Sequence, residues 1–236
     1  MYRGLDLAPP LFEVGPKAYL YGAGALELAR AADRLSLEYD VRIVFTPQYV
    51  DIPLLAQETE RLLIFAQHMD PIPVGPGAGS VLPESLVAAG AHGVMLNHSE
   101  KPIGLSHIRR AIERADEVGL ATIVCADTPQ EAAAVAQLAP NIILAEPPEL
   151  IGSGDESVAG TDFVGLSKRM IKAVNPDIVL FSAAGIRSGP DVAQTIRLGA
   201  EMTGSTSGII KADDPIAMLE EMIVALRQAW DETHPT

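Results

Sequence analysis

Cysteine is nearly absent. Of 236 residues only Cys125 carries a thiol, which leaves no pair for a disulfide framework and no thiolate cluster for a structural metal. Aromatic residues are scarce too, at 5% in a chain that is 48% hydrophobic. A core of Ala, Leu, Ile and Val suits helices packed on parallel strands better than an aromatic-rich sandwich. No run of about 18 apolar residues occurs, so no membrane span is expected, and no charged-then-apolar leader is visible. A basic excess is also missing. The formal net charge of −14 argues against a nucleic-acid partner or an anionic membrane surface. Any anionic substrate must then be held by a local feature. The histidines are not at ligand spacing, so neither a metal nor another cofactor is implied. The G-x-S-x-G elbow of a serine nucleophile is absent. A cytoplasmic, reducing compartment is the expectation.

What the chain does have is alternation. Short apolar runs at 11–14, 41–45, 63–66, 93–96, 121–125, 142–145 and 178–181 read as strands. Between and after them, helical patterns fall at 23–35, 52–62, 83–89, 106–118, 129–138, 163–174, 190–198 and 215–230. Residues 71–80 (PIPVGPGAGS) hold too many breakers to be regular. Residues 201–207 (EMTGSTS) stand where an eighth strand belongs but are too polar to be assigned one. Such an alternation implies parallel strands with right-handed crossovers. Eight units in this length predict a closed (β/α)8 TIM barrel, as a single domain over 1–236 with an arm at 1–10 and a polar tail at 231–236. A doubly wound open sheet is the competitor, but GPKAYLYGAG after the first strand lacks the G-x-G-x-x-G turn.

The chain is organised around residues 142–154, IILAEPPELIGSG. Four apolar residues deliver Glu146 where a buried strand should end, and two prolines stop the ladder at once. Gly152 and Gly154 then suit a loop whose amides approach a ligand or whose ends hinge. Lys17 follows the first strand and His98 the fourth. In a barrel, all three would converge on the mouth. Lys17 alone also reads as a solvated loop lysine, and His98 alone as part of a turn or cap. Glu146 is harder to dismiss, because an acid behind four buried apolar residues is costly unless it has a use. The set suits proton shuttling beside a carbonyl: a carboxylate base, an imidazole to polarise the oxygen, and an ammonium to stabilise developing charge.

The segments FAQHMDP (65–71), MLNHSE (95–100), IVCADTP (123–129), AEPPELIGSG (145–154), AGIRSGPDV (184–192) and IIKADDP (209–215) resemble the triosephosphate isomerase family in its compact archaeal form. They fall in family order from the first strand to the last helix. The resemblance implies an aldose–ketose isomerase acting on a sugar phosphate, with the division of labour for which that family is known. Glu146 would be the base and His98 a neutral electrophile, its pKa lowered by a helix N-terminus near Ser99. Lys17 would be the electrostatic partner of the substrate, with Glu100 close to it. Residues 147–154 would be the lid. Amides at Ile151, Gly152, Gly185, Thr206 and Ser207, the last two leading into a helix N-terminus, would grip the phosphate. Cys125 would pack behind Glu146 or be an inert buried thiol. A homodimer or homotetramer, joined through 71–80, is also implied.

The chain departs from the family in places. Gly15 stands where the family has asparagine, which removes an amide donor near the substrate. Ala78 stands where the family has a threonine that reaches that asparagine across a subunit contact. Ala183 replaces a glycine after strand seven, and strand eight is polar where the archaeal pattern is apolar. Two other readings therefore stay open: an isomerase of a tetrose or pentose phosphate, or a silent phosphate-binding paralogue.

Overall fold

The computed structural model describes residues 1–147 and 161–235. Short, largely apolar runs form β1 (Leu11–Val14), β2 (Arg42–Phe45), β3 (Leu63–Ala66), β4 (Gly93–Leu96), β5 (Ala121–Ala126), β6 (Ile142–Ala145), β7 (Val179–Phe181) and β8 (Met202–Ser205). Neighbours pair in parallel in chain order, and β8 closes on β1 in a register from Leu11↔Met202 to Val14↔Ser205. The connecting helices are α1 (Gly22–Tyr39), α2 (Ile52–Glu58), α3 (Pro83–Ala88), α4 (Leu105–Val118), α5 (Pro129–Ala136), α6 (Thr161–Val174), α7 (Gly189–Arg197), α8 (Ser207–Ile210) and α9 (Pro215–Thr233). This is the closed (β/α)8 barrel that the alternation predicts.

Most strand residues are apolar because both faces of the strands are covered. Successive side chains point to opposite faces. Phe12, Ile43, Ile64, Val94, Val124, Ile143 and Leu180 pack outward with the helices in one core cluster. Leu11, Val44, Phe65, Met95, Ile123, Leu144, Phe181 and Met202 fill the barrel in another. The same two-residue period sets the inner wall. Counting on from Leu11 puts Glu13 inside, and counting on from Leu144 puts Glu146 inside, so two acids enter the barrel on strand parity alone.

Three expectations need correction. The polar segment near 201–207 does contain a strand, β8, buried along its length. Ring closure gives it a ladder partner on each side, and two of the segment's polar side chains find partners of their own, while the Thr203 hydroxyl is buried without one among the described residues. Ser205 Oγ donates to Ile186 O at 2.9 Å, while Glu201 accepts from Leu180 N at 2.9 Å and pairs with Lys172 at 2.8 Å. The tail expected at 231–236 is helical through Thr233. An Arg227–Asp231 pair one turn apart and the Thr233 hydroxyl bonded to Ala229 O extend α9 there. Residues 1–10, the expected arm, lie against the barrel, with Tyr2, Leu5 and Leu7 packed on its inner cluster from below. Asn141 Nδ2 donates to Tyr2 O at 2.7 Å, and the terminal ammonium pairs with Asp116. The third correction concerns His98 and follows with the site.

Candidate active site

The C-terminal strand ends surround a cavity of about 680 Å³. Gly15, Lys17, His98, Glu100, Glu146, Gly185, Thr206 and Ser207 all line it. Residues from the two ends of the chain and from its middle are thus brought to one mouth. Ile151, Gly152 and the lid from residue 148 onward lie outside the described residues. Lys101, Arg187 and Lys211 also line the mouth, so this part of a strongly acidic protein gathers cations as well as amides.

Lys17 sits in a left-handed conformation, with φ 48°. That geometry costs a non-glycine residue about 1–2 kcal/mol and has to be held. Its carbonyl accepts from Gln48 Nε2 at 2.8 Å and from Gln67 Nε2 at 3.0 Å. Gln67 also bonds Thr46 O at 2.9 Å, and the two glutamines bond each other at 3.1 Å. Together they tie the loop after β1 to the ends of β2 and β3. The Lys17 ammonium meets Glu100 Oε1 at 3.1 Å. Sequence reasoning passed over Gln48 and Gln67. Nothing marks a polar residue after a strand as a brace until the strands are side by side.

Asn97 ends β4 with φ 60°, its side chain bridging Cys125 O at 3.0 Å and Ile103 N at 2.9 Å. This clamp projects His98 into the mouth. The helix expected near Ser99 starts at Leu105 instead. Residues 98–101 form one turn, closed by Lys101 N to His98 O at 2.7 Å, and the Asn97 clamp holds the chain off the helical path as far as Ile103. Burial, not a helix dipole, is therefore the main reason that the imidazole pKa is lowered, with the Lys17 charge adding to it. His98 Nδ1 accepts from Glu100 N at 3.1 Å, so that nitrogen carries no proton and Nε2–H is the donor. Glu100 Oε2 lies 3.7 Å from the same Nδ1; a neutral ring has no charge to pair with it.

Glu146 is 8% exposed, and its amide continues the ladder to Ala126 O at 3.2 Å. Burial pushes its carboxyl up to about 7; the Lys17 ammonium pulls it down, and Asp127 and Glu100 add to the rise. Cys125 lies inside the barrel, its thiol raised well above the usual range by burial and by Glu146. Burial keeps it protonated. Glu13 is the residue that the sequence did not single out. It is 6% exposed, lines the same cavity and is also raised to about 7, by burial first. The signal was available: an acid inside the tetrad LFEV is as anomalous as one after IILA.

At the opposite side of the mouth, Gly185 has φ 79° and the short helix α8 starts at Ser207. Gly208 lets the two approach. A Cβ there would stand 2.8 Å from Arg187 Cα and 2.9 Å from Ile186 O. Among the described residues, no group of His, Cys, Asp or Glu could hold a metal ion, and no helix is long and apolar enough to cross a membrane.

Comparison with known proteins gives a consistent picture. Residues 17–174 match the family described as Triosephosphate isomerase. A relative of that name from Methanothermus fervidus is 39% identical over 220 residues, covering 92% of this chain and 99% of its own length. One from Methanosarcina mazei is 38% identical over 220 residues, with 92% and 99% covered. One from Sulfurisphaera tokodaii is 36% identical over 228 residues, with 95% and 99% covered.

Proposed function

The chain belongs to the triosephosphate isomerase family, and from that premise we propose that it interconverts dihydroxyacetone phosphate and D-glyceraldehyde 3-phosphate through an enediolate. The observation that carries this reading is the meeting of Lys17, His98 and Glu146 on one cavity. The protonation states also suit the chemistry. A carboxyl poised near 7 is basic enough to take a proton from carbon beside a carbonyl and still release it. It removes the proton from one carbon and returns it to the neighbour while the hydroxyl proton passes between the two oxygens, so the reaction needs no outside redox partner. The Nε2–H of neutral His98 hydrogen-bonds the carbonyl oxygen as negative charge builds there. Lys17, steadied by Glu100, stabilises the same charge through space. Gly185, Thr206 and Ser207 line the part of the mouth suited to the phosphate, where backbone amides offer donors without added cations.

A homodimer or homotetramer through 71–80 belongs to the same proposal. That loop is clamped at its neck by Asp70 N to Val81 O at 2.9 Å and Val81 N to Asp70 Oδ2 at 2.8 Å, and Val74 is exposed at its tip. Light scattering of the intact protein would return a monomer if this part is wrong.

The deciding experiment is a coupled assay in both directions with wild type and Glu146→Gln. Robust triose phosphate turnover that falls at least about a thousandfold in Glu146→Gln is expected. Turnover confined to a tetrose or pentose phosphate would replace the substrate. Silence on all sugar phosphates with tight phosphate binding would leave only a binding protein.

A further inference from the structure

We propose that Glu13, as a neutral carboxylic acid, is a further catalytic residue that donates a hydrogen bond to the substrate's reacting oxygen while Glu146 is the ionised member of the pair. This rests on the reading of the mouth as the isomerisation site. Glu13 and Gly15 both precede the matched range 17–174, and no role for Glu13 follows from the resemblance.

The geometry starts with two glycines. A Cβ on Gly15 would lie 2.5 Å from Glu13 Oε1, 2.9 Å from Oε2 and 3.0 Å from Cδ. A Cβ on Gly204 would lie 2.6 Å from Glu13 O and 2.8 Å from Glu13 Cβ. The carboxyl thus occupies the space in which a side chain at position 15 would begin. Gly15 and the buried acid are two halves of one arrangement, and the donor lost at 15 is replaced from below by the strand itself. Oε1 accepts from Thr46 Oγ1 at 2.6 Å. This is the only hydrogen bond to the Glu13 carboxyl among the described residues, which leaves Oε2 to address a bound molecule.

Burial and the nearby Glu146 favour the protonated form, against the Thr46 hydrogen bond and the Lys17 charge, which favour the ionised one. The flanking strands present Thr46 on one side and Gly204 on the other. Their charged residues, Arg42 and Glu201, stand at the far ends of β2 and β8 and pair with Asp6 and Lys172. From β5 the facing group is the protonated Cys125, and from β6 it is Glu146. Lys17, on the loop after β1, is the largest charge acting on Glu146, whereas at Glu13 its effect ranks behind that of Glu146. The cation therefore favours the negative charge on Glu146 and the proton on Glu13. An incoming phosphate dianion strengthens that assignment, because a second carboxylate in the mouth would repel it. Environments that hold two carboxyls in opposite states are how acid and base are told apart.

The test is kcat/KM from about pH 6 to pH 9 for wild type, Glu13→Gln and Glu13→Leu, with far-UV circular dichroism to confirm folding. Wild type is expected to give a bell, its falling limb set by loss of the Glu13 proton. Glutamine keeps a donor that cannot titrate, so Glu13→Gln should lose the falling limb and exceed wild type by about tenfold one unit above the carboxyl's pKa. Glu13→Leu should fall at least about tenfold across the range. A protonated-carboxyl infrared band present in wild type at pH 6 should lose its Glu13 component in Glu13→Gln and keep the component from Glu146. A falling limb retained in Glu13→Gln, or a loss in Glu13→Gln matching that in Glu13→Leu, would overturn the proposal and leave the isomerase reading intact. Wild type without triose phosphate turnover would overturn both.

Discussion

Replacing Glu13 by glutamine should change stability by an amount that pH decides. The carboxyl titrates near 4.5 when unfolded and at about 7 when folded. Between those values only the folded state holds the proton, so stability falls by about 1.4 kcal/mol per pH unit. The favourable contribution is complete below the unfolded value and is lost as pH rises through the folded one. Over that span the loss is on the order of 3 kcal/mol. Glutamine keeps the shape and can still accept from Thr46, but has no proton to lose. At pH 5 the variant should lie within about 1 kcal/mol of wild type, because both folded side chains are then neutral and only the unfolded glutamate has begun to ionise. At pH 8 it should be more stable by about 3 kcal/mol, or roughly 6–12 °C in Tm for a chain of this size. Urea denaturation at the two pH values, at one protein concentration, reads this group together with its coupling to Glu146, the remaining titrations being common to both proteins. The same stability difference at pH 5 and pH 8, or a variant less stable at pH 8, would refute a buried carboxyl protonated near neutrality.

Four further outcomes follow from the site. Wild-type kcat/KM should rise with pH on the acid side of its bell as Glu146 loses its proton, and a pH-rate profile flat on that side would exclude it as the base. Gln67→Ala removes two braces from the loop carrying Lys17 and should lower kcat/KM about tenfold with little change in Tm, as steady-state kinetics and a melt would report. Gly15→Asn forces a side chain into the Glu13 carboxyl and should destabilise by about 1–3 kcal/mol. Adding Glu13→Ala should recover much of that, so additive denaturation midpoints in the double-mutant cycle would show the two positions to be independent. Gly208→Ala crowds Arg187 and Ile186 and should raise the inhibition constant of inorganic phosphate at least about tenfold, a competition assay being sufficient.

Much of the barrel was legible because both faces of its strands are dry, so each wrote an apolar run into the chain. The convergence of Lys17, His98 and Glu146 followed from their places just after strands. β8 was illegible for a physical reason: its strand identity comes from two neighbours that complete a ring, not from its own side chains. His98 was placed correctly, but the cause of its neutrality was not. A clamp from Asn97 to residues 103 and 125 delays the helix, and no local pattern announces such a clamp. Glu13 was hidden by a different effect. A single acid in an apolar run reads as noise until strand parity turns it inward beside a second one.

The packing of Tyr2, Leu5 and Leu7 under the strands makes the barrel a cup and not a tube. Solvent meets its two deep acids from the rim. A ligand that stoppers the rim therefore isolates the protons beneath it, and the charge state chosen at the moment of docking is the one in which the chemistry must run.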